Sequence, residues 1–221
     1  MKTLELFYLI KTPELIKKLS PNLIWDIPTN QPTLYLTFDD GPTPGVTDWV
    51  LDLLKEYNAK ATFFCLGKNV KNFPKLYERL LSEGHSVGNH TYNHMSGWWT
   101  TIPQYLKSVK LGGQFVDSDL FRPPYGKITP AKIKQLIKEH KVVMWDVLTG
   151  DFDPETTKEI VLQNVLDTAK PGSIIVFHDS VKAEKKMKFA LEGVLKAFSN
   201  KGYVFEAIPY QKSKETISDD D

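Results

Sequence analysis

The sequence predicts an α/β fold in which about seven parallel strands curl into an irregular (β/α) barrel. Three observations carry this. Short β-forming runs alternate with helical segments along most of the chain, which is the pattern of a parallel sheet or barrel. One run, Ala61 to Leu66, is apolar throughout, as strands buried on both faces are. A full eight-fold barrel typically takes ~250 residues, more than this chain of 221 offers, so the barrel is a shortened one.

The elements follow in order. Residues 1–32 form a leader, expected to pack on the barrel as one or two amphipathic turns and to end in a Pro-containing loop. The barrel domain spans 33–210, and the polar tail 211–221 is expected to be flexible. Leu34 to Phe38 are β-formers, ended by Asp39, Asp40 and the turn-forming Gly41-Pro42. Thr47 is placed to cap a helix through Val50, Leu51, Leu53 and Leu54. After the strand at 61–66, a helix from Val70 to Ser82 carries Leu76, Leu80 and Leu81 on one side and stops at Gly84. His85 to Asn89 is a short strand, and Trp98-Trp99 lie in a loop. Ile102 to Phe115 reads as helix, closed near Gly112-Gly113, and Leu120 to Arg122 as a strand stopped by Pro123-Pro124. Pro130 opens a helix over Thr129 to Lys141, and Val142 to Asp146 is the next strand. Thr156 and Glu159 resemble a capping box for a helix to about Thr168. Ser173 to Phe177 is a strand, Glu184 to Asn200 the last long helix, and Tyr203 to Phe205 the last strand.

Composition excludes several function classes. With a net charge of +1, no global field recruits nucleic acid or an acidic polymer. No apolar stretch reaches the ~20 residues that span a bilayer, so no integral membrane segment is expected. Residues 1–20 lack the basic start, apolar block and cleavage site of a signal peptide. The cytoplasm is then the default location, with the cell envelope as the alternative. Cys65 is the single cysteine, so no internal disulfide forms, and its apolar setting reads as a core thiol.

Ionisable groups collect at the carboxyl ends of the strands, where parallel α/β folds place their sites. Asp39 and Asp40 end the first strand, His90 and His94 follow the third, Arg122 ends the fourth, Asp151 follows the fifth and His178 ends the sixth. Two adjacent carboxylates repel unless a cation stands between them, although Asp-Gly alone is also a common surface turn. His90 and His94 are spaced to share a face on a helical turn and to bind one metal. With one carboxylate they make a ligand set that leaves positions open for water and substrate.

These segments resemble the polysaccharide deacetylases of carbohydrate esterase family 4, the NodB homology domain. Thr37-Phe-Asp-Asp-Gly-Pro42 matches the first motif of that family, His90-Thr-Tyr-Asn-His94 the second and Arg122-Pro-Pro-Tyr-Gly126 the third. Val147 to Phe152 and Val176 to His178 are looser matches to the fourth and fifth. The resemblance implies that Asp40, His90 and His94 hold one divalent ion, zinc or a similar ion such as cobalt. It implies that Asp39 is the general base, Arg122 its support, His178 the general acid and Asp151 the carboxylate that raises the pKa of His178. The Tyr125 backbone N–H would stabilise the oxyanion. Phe152 and Val176 would shape the pocket for the acetyl methyl, where the family usually has Trp and Leu. Leu148 stands where the family usually has an acid. Trp98 and Trp99 read equally as platforms for sugar rings or as loop anchors.

The implied substrate is an N-acetylated glycan, peptidoglycan- or chitin-like, deacetylated by a monomer. Another amide or ester hydrolase, acting on acetyl-xylan or a small molecule, is the first alternative. A catalytically dead glycan binder is the second, and the full set of ionisable groups speaks against it.

Overall fold

The computed structural model describes residues 8–210; the expected tail and the first residues of the leader lie outside the described residues. The sheet is centred on β1 (Thr33–Asp39), which pairs in parallel with β2 (Ala61–Cys65) and with β7 (Ile174–His178). β3 (Ser86–Asn89), β4 (Leu120–Phe121) and β5 (Lys141–Val142) extend the row beyond β2, and β6 (Val147–Leu148) extends it beyond β7. The result is the curled, parallel row of seven strands that the alternating pattern called for. An eighth short strand, β8 (Val204–Phe205), pairs with the start of β1.

Alternation along β1 decides what each side chain does. Leu34, Leu36 and Phe38 enter the main core under the helices. There Phe38 stacks between Phe63 at 5.0 Å and Phe177 at 5.8 Å. Burial of each such ring stabilises the fold by roughly 1.5–3 kcal/mol. Helix α2 (Val46–Glu56) adds Val50, Leu51 and Leu54 to this core, and the long helix after β7 (Glu184–Ser199) adds Leu191, Val194, Leu195 and Phe198. The opposite face of β1 carries Thr37 and Asp39, which are buried inside the curl.

Several elements differ from the sequence expectation, each for a local reason. The helix expected over Val70–Ser82 is two, Gly67–Asn72 and Pro74–Ser82. Pro74 disfavours helical backbone at the preceding residue, and Phe73 sits at φ −129°, ψ 56°. Thr47 does not cap α2: it lies inside the helix with its hydroxyl buried, and Gly45 is the N-cap, its N–H donating to Asp48. The cap of the helix Lys158–Thr168 is Thr157, one residue later than expected. The helix expected over Thr129–Lys141 covers only Pro130–Leu136. The apolar run at 142–146 is not one strand. Val142 ends β5 at one edge of the row, and 143–146 cross the open side and lead into β6 at the other edge.

Residues of the leader meet both of those edges, whose backbone groups would otherwise lack partners. Lys11 pairs antiparallel with Val147, and Ile24 pairs in parallel with Val143. Between them, α1 (Glu14–Leu19) sends Lys17 inward to Asp146 and Asp26, each at 2.5 Å. Asp146 is fully buried and also accepts from Lys11 and from Ser173. A buried carboxylate holds its charge only when so fully partnered. Asp146→Ala takes from Lys17 one of its carboxylates, leaving Asp26, and leaves the Lys11 and Ser173 donors short of a partner. It is expected to cost about 1–3 kcal/mol, read as a lower urea midpoint. An unchanged midpoint would show that water already reaches this cluster. No helix among the described residues is long and apolar enough to cross a membrane.

Candidate active site

β1 and β7 end in register, with Asp39 opposite His178. One residue on, Asp40 turns the chain at φ 81°. Three other non-glycine residues near the same rim, Thr91, His94 and Tyr125, also have positive φ. This left-handed backbone costs a non-glycine residue on the order of 1–3 kcal/mol, and such residues cluster where function fixes the geometry.

Asp39 and Asp40 face different partners. Asp39 accepts from Arg122 Nη1 at 2.7 Å. Arg122 is completely buried and every arm is used: Nη1 also reaches Thr37 Oγ1, Nε donates to the Val143 carbonyl, and Nη2 donates to the Met144 carbonyl. Its guanidinium lies 4.0 Å from the centre of the Phe64 ring. Burial lowers the Arg122 pKa, and the Asp39 charge works in the opposite direction. This fixed cation therefore holds the position of the Asp39 carboxylate.

Asp40 faces the histidines. His94 Nε2 is 3.1 Å and His90 Nε2 3.7 Å from Asp40 Oδ1. That oxygen is buried and has no aligned hydrogen-bond partner. One ligand atom from each of the three residues lies within 4.8 Å of the others. The His90 Nδ1 is 2.8 Å from the Arg122 carbonyl. A carbonyl only accepts, so Nδ1 carries the proton and the Nε2 lone pair points toward Asp40. Burial pulls the His90 pKa down to about 4, which keeps the ring neutral, as a metal ligand must be. Burial alone would raise Asp40, but its neighbour His94 and the charge of His178 hold it well below the usual carboxylate range. An orphaned carboxylate oxygen between two imidazole nitrogens is the donor set that fits a divalent ion. The two histidines do not share a helical turn as the spacing suggested. They flank a turn in which Thr91 has φ 66° and His94 has φ 60°.

On the other side of Asp39, His178 is gripped twice by Asp151. The His178 backbone N–H donates to Oδ2 at 2.7 Å, and Nδ1 lies 2.8 Å from Oδ1. Burial lowers the imidazole pKa, but the charge and hydrogen bond of Asp151 outweigh it and raise it to about 9. Phe152 packs edge-on against His178, with ring centres 5.2 Å apart. Tyr125 packs against His94 in the same way at 4.4 Å.

A family model described as polysaccharide deacetylase matches residues 26–145. The chain is also 34% identical over 201 residues to a peptidoglycan-N-acetylglucosamine deacetylase of Bacillus cereus, a match covering 87% of this chain and 94% of the relative. The chain belongs to the polysaccharide deacetylase family. It is likewise 34% identical over 180 residues to the peptidoglycan-N-acetylmuramic acid deacetylase PdaC of Bacillus subtilis, covering 79% of this chain but 37% of that longer protein. Among solved structures, a peptidoglycan N-acetylglucosamine deacetylase in complex with an N-oxidanyl-benzamide superposes with a TM-score of 0.79 at 30% identity. That superposition covers 90% of this chain and 95% of the other.

In this deacetylase, then, Asp39, Asp40, His90, His94, Arg122, Tyr125, Asp151, Phe152 and His178 come together by direct contact at one rim. Val176 is buried in β7, opposite Thr37 and two residues below His178 on the same face. Trp98 and Trp99 are 55% and 82% exposed. Neither indole joins the ring packing around His94 or His178 among the described residues; Lys127 lies 5.6 Å over Trp98 instead.

One residue carries more than the sequence suggested. Asp179 reads as a residue that only closes a turn, yet it is fully buried behind the turn that carries both carboxylates. It accepts from the Gly41 N–H at 3.0 Å and from the Thr47 hydroxyl at 2.5 Å. A Cβ on Gly41 would lie 2.0 Å from an Asp179 oxygen, so only glycine admits this contact. Asn69 braces the same turn by donating to the Asp40 carbonyl at 2.8 Å. The available signal was an acid directly after an apolar strand on the rim where the other acids collect.

Proposed function

We propose that the chain is a metal-dependent hydrolase that removes acetyl groups from N-acetylated amino sugars of peptidoglycan, releasing acetate and a free amine. One observation carries the reading. Two in-register strand ends present a carboxylate fixed by Arg122 and an imidazole fixed by Asp151, beside a separate Asp40–His90–His94 donor set. The reading also accords with the relatives, which are named for that substrate.

In this reading Asp40, His90 and His94 hold the ion, with zinc the first choice and cobalt a substitute. When bound, it supplies Lewis-acid polarisation of the acetamide carbonyl and acidifies the attacking water. Asp39 takes the proton of that water as it adds to the carbonyl carbon. Arg122 keeps Asp39 aimed. The Tyr125 N–H faces the developing oxyanion. His178 donates its Nε2 proton to the sugar nitrogen as the C–N bond breaks, and acetate leaves. Asp151 keeps that imidazole protonated up to about pH 9. The exposed indoles of Trp98 and Trp99 offer flat faces to neighbouring sugar rings. A wall glycan as substrate favours the cell envelope as the place of action.

The test is acetate release from peptidoglycan, chitin oligomers, acetyl-xylan and small acetamides, measured side by side. Peptidoglycan is expected to react fastest. Faster release from acetyl-xylan than from every N-acetylated glycan would overturn the substrate class.

Phe152 and Val176 are assigned the wall around the acetyl methyl. Overfilling a packed apolar site typically costs ~1–3 kcal/mol, so N-butyryl substrates are expected to react roughly 5- to 150-fold more slowly than N-acetyl ones. Equal rates would remove both residues from the pocket.

A further inference from the structure

The wall beside His178 is completed by a residue that the strands of the barrel do not supply. Leader residues run antiparallel along β6: Lys11 pairs with Val147, and the Leu148 N–H donates to the Ile10 carbonyl at 2.8 Å. Each residue earlier in the leader faces one residue later in the partner, so this register carries Tyr8 to Gly150, at the threshold of Asp151 and Phe152. Gly150 has φ +81°, and a Cβ there would lie 2.8 Å from the Tyr8 hydroxyl oxygen. The glycine therefore leaves the space that the phenol enters.

Two contacts fix the ring. Its hydroxyl donates to Asp153 Oδ2 at 2.9 Å. Burial, joined by the Asp153 carboxylate, pushes the phenol pKa up, so it remains a donor. The ring packs on Phe152 with centres 5.1 Å apart, and Phe152 in turn packs on His178 at 5.2 Å. Phe152 is thus held between a leader side chain and the imidazole. Tyr8 and His178 are the two aromatic partners of Phe152 among the described residues.

We propose that Tyr8 is a positioning and specificity residue of the deacetylase site: it wedges Phe152 against His178 and so sets the width of the acyl pocket. The proposal rests on the functional reading above, in which Phe152 walls that pocket. It gives the leader a role in the reaction.

The test compares Tyr8→Ala, Tyr8→Leu and Tyr8→Phe in the full chain by two readouts. The first is the ratio of kcat/KM for N-butyryl over N-acetyl glucosamine oligomers. The second is the His178 ring signal in a proton–carbon NMR spectrum, which requires no turnover. Tyr8→Ala is expected to raise the ratio on the order of 10-fold, the scale of one methylene in an apolar pocket, and to shift the His178 signal. Tyr8→Leu should do the same to a smaller degree, and it keeps the test standing if the alanine variant folds poorly. Tyr8→Phe retains the ring and should stay within about 2-fold of the parent, with the His178 signal unmoved. A ratio and a signal both unchanged in Tyr8→Ala and Tyr8→Leu would overturn the proposal, as would a phenylalanine variant as altered as the alanine one. Absence of acetate release by the parent would sink the deacetylase reading instead, and the His178 signal would still decide whether Tyr8 positions Phe152.

Discussion

Asp39→Asn is expected to keep its fold and its metal and to lose roughly 10²–10⁴-fold in rate, the usual worth of a general base. The substitution keeps the shape of the side chain and an oxygen for Arg122 Nη1, now 2.7 Å away, but removes the basic lone pair. Asp40, His90 and His94 are not altered by it, so metal content measured by elemental analysis should match the parent. Loss of metal together with activity would mean that the roles of the two adjacent carboxylates are exchanged. A rate within a few-fold of the parent would mean that the charge and basicity of Asp39 do not matter to the chemical step.

The next largest effect concerns His178, and its sign follows from the environment of the ring. Against burial, which lowers it, the Asp151 charge and its 2.8 Å contact with Nδ1 raise the ring pKa to about 9, above the ordinary imidazole value. The acid form is therefore present below that pH, and kcat/KM should fall as pH rises through about 9. Asp151→Asn removes the charge that raises the pKa while burial, which lowers it, persists. The alkaline limb should then move down, toward or below the ordinary ~6.5 of a free imidazole, with metal content unchanged. His178→Ala should abolish that limb and slow amide hydrolysis by on the order of 10²–10⁴-fold. Activated esters should suffer far less, because their leaving groups depart without a proton. Equal losses on amide and ester would reassign His178 to positioning.

The parts of this site that were legible in the sequence are those encoded locally. Asp39-Asp40-Gly41-Pro42 closes a strand, His178 follows the apolar run 174–177, and Arg122 precedes two prolines, so each names its place on the rim without knowledge of the rest. The parallel order was legible for a similar reason, since alternation of strands and helices is a property of the chain in sequence. What stayed hidden depends on distant pairings. Asp179 gains its meaning from Gly41 and Thr47, 138 and 132 residues away. Tyr8 reaches Asp153 across 145 residues, through a register no local pattern specifies. The stretch 142–146 reads as one strand because its first four residues are apolar, and only the sheet order shows that it joins both edges. The leader itself read as an amphipathic turn; its bridging of those edges rests on Lys17 and Lys11, whose partner Asp146 is more than a hundred residues later.

The most direct measurement is acetate release from N-acetylated peptidoglycan, with bound metal counted by elemental analysis in the same samples. The parent is expected to bind about one divalent ion per chain, to lose acetate release on chelation and to regain it with zinc or cobalt. His94→Ala should lose occupancy while its circular dichroism stays that of the parent. Full acetate release from a sample verified to contain no metal would contradict the account.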